Sequence, residues 1–182
     1  MRRNLVLIGF MGTGKTTIGR ILAARLGYPF VDSDRKLESQ EGKSVSEIFE
    51  QLGEEAFRSK EKEMIARLSR YTGTVIATGG GVVLDEENVK RLRRNGILVL
   101  LQASPEVILE RTGRRQNRPL LAVEEREERV RSLLSQREEV YTQAADVVID
   151  TSECGPQEIA EKIVEFVRQG GWLRGHRRSG HR

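Results

Sequence analysis

The sequence predicts an α/β fold, a parallel sheet with helices on both faces, and three observations carry that expectation. Short apolar runs alternate with stretches of helical periodicity along most of the 182 residues. The first run, Asn4 to Ile8, leads directly into Gly9-Phe10-Met11-Gly12-Thr13-Gly14-Lys15-Thr16, which fits G-x-x-x-x-G-K-[ST] and opens a helical stretch. Two further motifs, around Asp32 and around Gly79 to Gly81, also fall just after apolar runs, where open parallel sheets bind ligands.

In chain order, Asn4 to Ile8 is a strand, and Lys15 to Leu26 is a helix with Ile18, Ile21, Leu22 and Leu26 on one face. Gly27 ends that helix, and Tyr28 to Val31 is a short second strand running into Asp32-Ser33-Asp34. Ser44-Val45-Ser46-Glu47 is a capping box that starts a helical region reaching about Leu68, with Gly53 breaking it into two pieces. Thr74 to Thr78 is the third strand and ends in three glycines. A helix from about Asp85 to Arg94 and a fourth strand, Ile97 to Leu101, follow. Ser104-Pro105-Glu106 combines a cap with a first-turn proline, and the helix it opens ends near Arg111. Residues 112–124 read as a long polar loop, Glu124 to Val140 as a charged helix, Asp146 to Ile149 as the last strand and Pro156 to Arg168 as the last helix. There is no internal repeat.

This length suits one domain, placed at residues 1–169, with a basic tail over 170–182. The net charge of +4 comes from that tail, because removing Arg174, Arg177, Arg178 and Arg182 leaves 27 basic against 27 acidic residues. A neutral body without aromatic-rich basic stretches argues against a nucleic-acid partner. Cys154 is the one cysteine, so no internal disulfide is possible and a reducing cytoplasm is expected. The apolar run after Arg2-Arg3 is too short for a targeting segment, and none approaches a membrane span.

The glycines of the first loop permit positive φ and close backbone approach, so that successive N–H groups and a helix N-terminus face phosphate oxygens. Lys15 would reach the β- and γ-phosphates of a nucleoside triphosphate and Thr16 would hold Mg²⁺. Of the two nearby carboxylates, Asp32 suits Mg²⁺, and Asp34 is the candidate to orient or deprotonate a hydroxyl acceptor, the alternative for Asp34 being a helix cap. Asp150, after Val147-Val148-Ile149, is a rival metal ligand. Gly79, Gly80 and Gly81 suggest a backbone lying against a ligand. Arg137 interrupts the stripe Val130, Leu133, Leu134, Val140, Tyr141, and Arg58 shares a face with Ile65 beside Glu61. Both arginines suit bidentate capture of a carboxylate, or else internal ion pairs. Arg114, Arg115 and Arg118 lie on the polar loop, which reads as a lid at about residues 112–124 bringing positive charge to a phosphoryl group.

Taken together, the Gly9–Thr16 loop, Asp32-Ser-Asp34, Phe57-Arg58, Ala77-Thr-Gly-Gly-Gly81, Asn117-Arg-Pro-Leu-Leu121 and Arg137-x-x-x-Tyr141 with Ala145-Asp146 resemble the shikimate kinase family over residues 4–168. The resemblance implies a P-loop kinase of nucleoside-monophosphate-kinase type with a five-stranded parallel sheet. It also implies ATP and Mg²⁺ as cosubstrate and cofactor, and transfer to the 3-hydroxyl of shikimate in aromatic amino-acid synthesis. Carried onto this chain it puts ATP at Gly12, Thr13, Gly14, Lys15, Thr16, Thr17, Arg111, Arg118 and Pro156, and the metal at Thr16 and Asp32. It puts shikimate at Asp34, Arg58, Gly79, Gly80, Gly81 and Arg137, with an acceptor-binding region at about 33–61, in a cytoplasmic monomer. Other readings are a gluconate kinase and a nucleotide-driven switch or ATPase. A GTPase is disfavoured, since the chain has neither Asn-Lys-x-Asp nor Asp-x-x-Gly.

Overall fold

The computed structural model describes residues 2–113 and 126–172. The elements are β1 (Asn4–Ile8), α1 (Lys15–Leu26), β2 (Phe30–Asp32), α2 (Ser33–Glu41), α3 (Val45–Leu68), β3 (Val75–Ala77) and a 3₁₀ turn (Val82–Leu84). They continue through α4 (Glu86–Asn95), β4 (Gly96–Gln102), α5 (Pro105–Gly113), α6 (Arg126–Ala144), β5 (Val147–Asp150) and α7 (Pro156–Gln169). All strands are parallel, in the order β2-β3-β1-β4-β5.

Alternation along the strands divides the core into two layers. Leu5 and Leu7 of β1 and Ile97, Val99 and Leu101 of β4 point to one face, where Ile18 and Leu22 of α1 and Ile159, Ile163 and Val167 of α7 cover them. Val6, Ile8, Leu98 and Leu100 point to the other, under Leu37 of α2, Ile48, Met64 and Ile65 of α3, Leu92 of α4 and Val130 of α6. Because β1 is central, the chain leaves it towards β2 on one side, and after β3 it crosses to β4 on the other. The carboxyl ends of β1 and β3 therefore border a crevice between diverging connections.

The capping box forms as expected, with the Ser44 hydroxyl accepting from the Glu47 N–H while Glu47 accepts from the Ser44 N–H. Gly53, at φ 82° and ψ 170°, interrupts α3. Three features depart from the sequence expectation. Helix α2 is missing from the element-by-element reading and enters it only through the alternative of Asp34 as a helix cap, since Leu37 is its one fully buried apolar residue and it has no apolar stripe to read. Its cap is Asp32, whose carboxylate accepts from the N–H groups of Asp34 and Arg35, so Asp34 is not the capping residue. Helix α5 extends to Gly113, taking in the first residues expected to be loop. After α7 the chain folds back, the Trp172 N–H donating to the Val167 carbonyl and the indole standing 5.7 Å from the Phe166 ring. Among the described residues no helix is long and apolar enough to cross a membrane.

Candidate active site

The loop between β1 and α1 has Gly9, Gly12 and Gly14 at φ 136°, 81° and 94°. Any β-carbon at Gly9 would also stand 2.3 Å from the Leu101 carbonyl oxygen, so both conformation and space exclude larger residues there. Thr13, fully buried, ties the loop to itself by donating to the Phe10 carbonyl at 2.8 Å. The Lys15 ammonium donates to the carbonyls of Gly9 and Phe10 at 2.6 and 2.7 Å, which places its charge across the loop. Thr16 and Thr17 occupy the first turn of α1, where backbone N–H groups are free of intrahelical partners. Loop, lysine and helix end together form an anion cradle.

Beside it, the Thr16 hydroxyl donates to the Asp32 carboxylate at 2.7 Å. A hydroxyl and a carboxylate from two elements, both hard oxygen donors, fit Mg²⁺. Asp150 offers no such pairing. It sits at the end of edge strand β5, accepts from the Ser152 N–H at 2.7 Å, and the Ser152 hydroxyl and N–H hold its carboxyl below the ordinary range. The rival metal ligand is thus a turn-stabilising residue.

The three glycines after β3 do not need unusual backbone angles, since none has positive φ. They need space. A β-carbon at Gly79 would fall 2.5 Å from a carboxylate oxygen of Asp34 and 3.0 Å from one of Glu61. One at Gly81 would fall 2.2 Å from Nη1 of Arg58. Two of the three glycines therefore make room for the chain's own charged side chains. The turn is held by the Ser33 hydroxyl, which accepts from the Gly79 N–H at 3.0 Å, and by Tyr141, whose phenol donates to the Gly80 carbonyl.

Arg58 makes the ion pair that the sequence left open, with Glu61 at 2.8 Å and Glu54 at 3.4 Å, and its guanidinium lies 5.2 Å from the Phe57 ring centre. Glu61 is only 4% exposed. Burial pushes its carboxyl above the ordinary value, against the pull of Arg58. Arg137 projects over the Phe10 ring at 5.9 Å, and no described carboxylate pairs with it. Burial raises the Tyr141 phenol, while Arg137 and Arg58 both lie near enough to oppose that rise. The two arginines, 79 positions apart in the sequence, therefore converge around one phenol beside the glycine turn.

On the opposite flank of the loop, Arg111 donates to Thr151 through its hydroxyl at 3.1 Å and its carbonyl at 2.7 Å, and reaches the Gly12 carbonyl at 3.4 Å. Pro156 opens α7 a few residues further on. Arg114, Arg115 and Arg118 lie outside the described residues.

Several participants were not singled out from sequence. Thr151, 1% exposed, joins the Thr13 and Gln102 carbonyls to Arg111, and its only local signal is a hydroxyl directly after a strand. Ser33 sits between the two aspartates that drew attention instead. Tyr141 is legible as a core residue of an apolar stripe and as the end of the Arg137-x-x-x-Tyr141 motif, but its hydroxyl's partner, Gly80, is 61 residues away.

Comparison with known proteins agrees with this geometry. A family model described as shikimate kinase matches residues 11–168. A shikimate kinase of Caldanaerobacter subterraneus subsp. tengcongensis is 50% identical over 162 residues, 89% of this chain and 94% of the relative. The structure of a shikimate kinase from Acinetobacter baumannii in complex with shikimate is 39% identical, with a TM-score of 0.90 over 93% of this chain and 95% of that one. A gluconokinase from Sinorhizobium meliloti, at 16% identity and a TM-score of 0.57 over 96% and 98% of the two chains, shares the fold alone. With the family model spanning most of the chain and relatives at half identity, the protein is an enzyme of the shikimate kinase family.

Proposed function

We propose that the protein transfers the γ-phosphoryl group of ATP to the 3-hydroxyl of shikimate, forming shikimate 3-phosphate in aromatic amino-acid biosynthesis. The observation that carries this reading is the convergence, at the carboxyl ends of β1, β2 and β3, of a phosphate loop, the Asp34 carboxylate and two arginines on a glycine turn. Such a site matches a hydroxylated carboxylic acid held next to a triphosphate.

In this reading Gly12, Thr13, Gly14, Lys15, Thr16 and Thr17 hold the phosphates, while Arg111 and Pro156 flank the adenine. Thr16 and Asp32 would hold Mg²⁺, which would supply positive charge against the charge developing on the transferred group. Asp34 accepts or orients the proton of the attacking hydroxyl. Arg58 and Arg137 clamp the acid's carboxylate, with the Phe57 ring and Glu61 keeping the Arg58 fork in place. Gly79, Gly80 and Gly81 line the acceptor, and Gly80, the one with space beside it, offers its N–H. Arg118, within Asn117-Arg-Pro, closes on the phosphates from a lid at about residues 112–124. The enzyme acts as a monomer in the cytoplasm, with residues 170–182 outside the catalytic unit.

A coupled ADP-release assay with ATP, Mg²⁺ and a panel of shikimate, gluconate, nucleoside monophosphates and no acceptor tests the reading. Turnover on shikimate alone is expected. Turnover on gluconate instead would replace the substrate, and equal ADP release without any acceptor would make the protein an ATPase.

A further inference from the structure

The Tyr141 phenol occupies an unusual position for a core residue of a helix. It is 4% exposed, it donates to the Gly80 carbonyl, and Arg137 sits one turn earlier on the same helix near the same oxygen. Gly80 in turn lies over the phosphate loop, since a β-carbon there would be 3.6 Å from the Met11 nitrogen, 3.7 Å from the Gly9 oxygen and 3.8 Å from the phenol oxygen. Arg137 covers Phe10 of that loop. One hydroxyl therefore ties α6 to the glycine turn, which itself lies against the phosphate loop.

A run of glycines has little intrinsic preference among backbone conformations, and a peptide plane between two of them turns over at small cost. The bond to the Gly80 carbonyl fixes the plane joining Gly80 to Gly81 and restrains the turn that, in the proposed reading, offers the Gly80 N–H to the acceptor. The same phenol bounds the space in which the Arg137 guanidinium can move. A phenylalanine would fill the volume equally well, so the hydroxyl is not required for packing.

We infer that Tyr141 is a positioning residue for the acceptor, holding the glycine turn and Arg137 in register so that the hydroxyl and the carboxylate of one acid are met together. The inference rests on the proposed reading of the site as one for a hydroxylated acid. It adds a second contributor from α6, one that touches neither substrate, and it predicts coupling between Tyr141 and Arg137.

The test is shikimate binding by calorimetry in the presence of ADP, with steady-state kinetics and thermal melting, on the full chain and on Tyr141→Phe, Arg137→Ala and the double variant. Tyr141→Phe is expected to weaken shikimate binding about tenfold, the effect of losing one good hydrogen bond next to a charge. The KM for ATP should stay within about twofold and the fold should persist. In the Arg137→Ala background the same substitution should cost clearly less, because part of its effect passes through Arg137. Unchanged shikimate affinity overturns the inference, as does a loss that merely follows a lower melting temperature with both KM values intact. Fully additive losses do so too. If the parent binds another acid of the panel and not shikimate, the substrate reading falls by itself, and the same four proteins titrated with that acid decide the role of Tyr141.

Discussion

Arg58 and Gly81 occupy one another's space: the position a β-carbon would take at residue 81 is 2.2 Å from Nη1 and 2.7 Å from Cζ of the guanidinium. Gly81 has φ −97°, which any residue adopts, so the glycine is there for room and not for conformation. Gly81→Ala should therefore leave the backbone in place and push Arg58 aside. We expect the KM for shikimate to rise about tenfold or more while the KM for ATP holds, as for loss of a charge-assisted hydrogen bond. Steady-state kinetics decide the matter, and an unchanged acceptor KM would remove Arg58 from the clamp.

Asp34 contributes its N–H to the start of α2 but its carboxylate faces Gly79. Asp34→Asn keeps the shape and removes the proton acceptor. Turnover should drop roughly 10²-fold or more with ADP affinity near that of the parent. A kcat within a fewfold of the parent would leave Asp34 without a part in the chemistry.

Asp32 serves two functions that substitution can separate, since one carboxylate caps α2 and also accepts from Thr16. Asparagine is as good a cap as aspartate but a poorer ligand for a hard cation. Asp32→Asn should keep the melting temperature and raise the Mg²⁺ concentration for half-maximal rate. Asp32→Ala should add a stability loss of about 0.5–2 kcal/mol. Equal Mg²⁺ dependence in parent and Asp32→Asn would place the ion elsewhere.

Glu61 gives the protein a pH-dependent stability term. Its carboxyl is raised above the ordinary 4.5 by burial, with Asp34 and Asp85 adding to the rise and Arg58 opposing it. A folded-state value above the unfolded one means that the folded chain holds the proton more tightly. The favourable term is then complete below about pH 4.5 and is lost as pH rises through the folded value. Melting curves of the parent and Glu61→Gln across that window should show the parent losing ground to the variant as pH increases. A constant difference would mean that folding leaves the proton affinity of Glu61 unchanged.

Arg118 is tested against Arg114 and Arg115, its neighbours in the polar segment 112–124 of the sequence. Arg118→Lys keeps the charge but not the fork and should lower kcat strongly with little change in ATP affinity. Arg118→Ala should be at least as damaging, within the roughly 10³–10⁵ that bounds arginine fingers. Alanine at Arg114 or Arg115 should cost far less, and equal small losses at all three would leave Arg118 without a specific role.

The parts of this protein legible in its sequence are those whose physics is local. The phosphate loop is readable because three positive-φ glycines, a lysine and a threonine must stand at set spacings between a strand and a helix. The Ser44–Glu47 box and the break at Gly53 are equally short-range. The alternation of apolar runs with helical stretches announced the layered sheet, and β1 and β4 are buried on both faces. What lay beyond reach were relationships between distant segments. Helix α2 has one fully buried apolar residue, so it follows from the Asp32 cap and from the place Leu37 finds under the sheet. Gly79 and Gly81 are explained by Asp34, Glu61 and Arg58 closing in from other helices. That Thr16 meets Asp32 rather than Asp150 follows from the strand order, with β2 on one side of β1 and β5 beyond β4 on the other. Composition and spacing define what each residue can do chemically, but a partner 61 residues away, as Gly80 is to Tyr141, is chosen only when the sheet closes and its core excludes water.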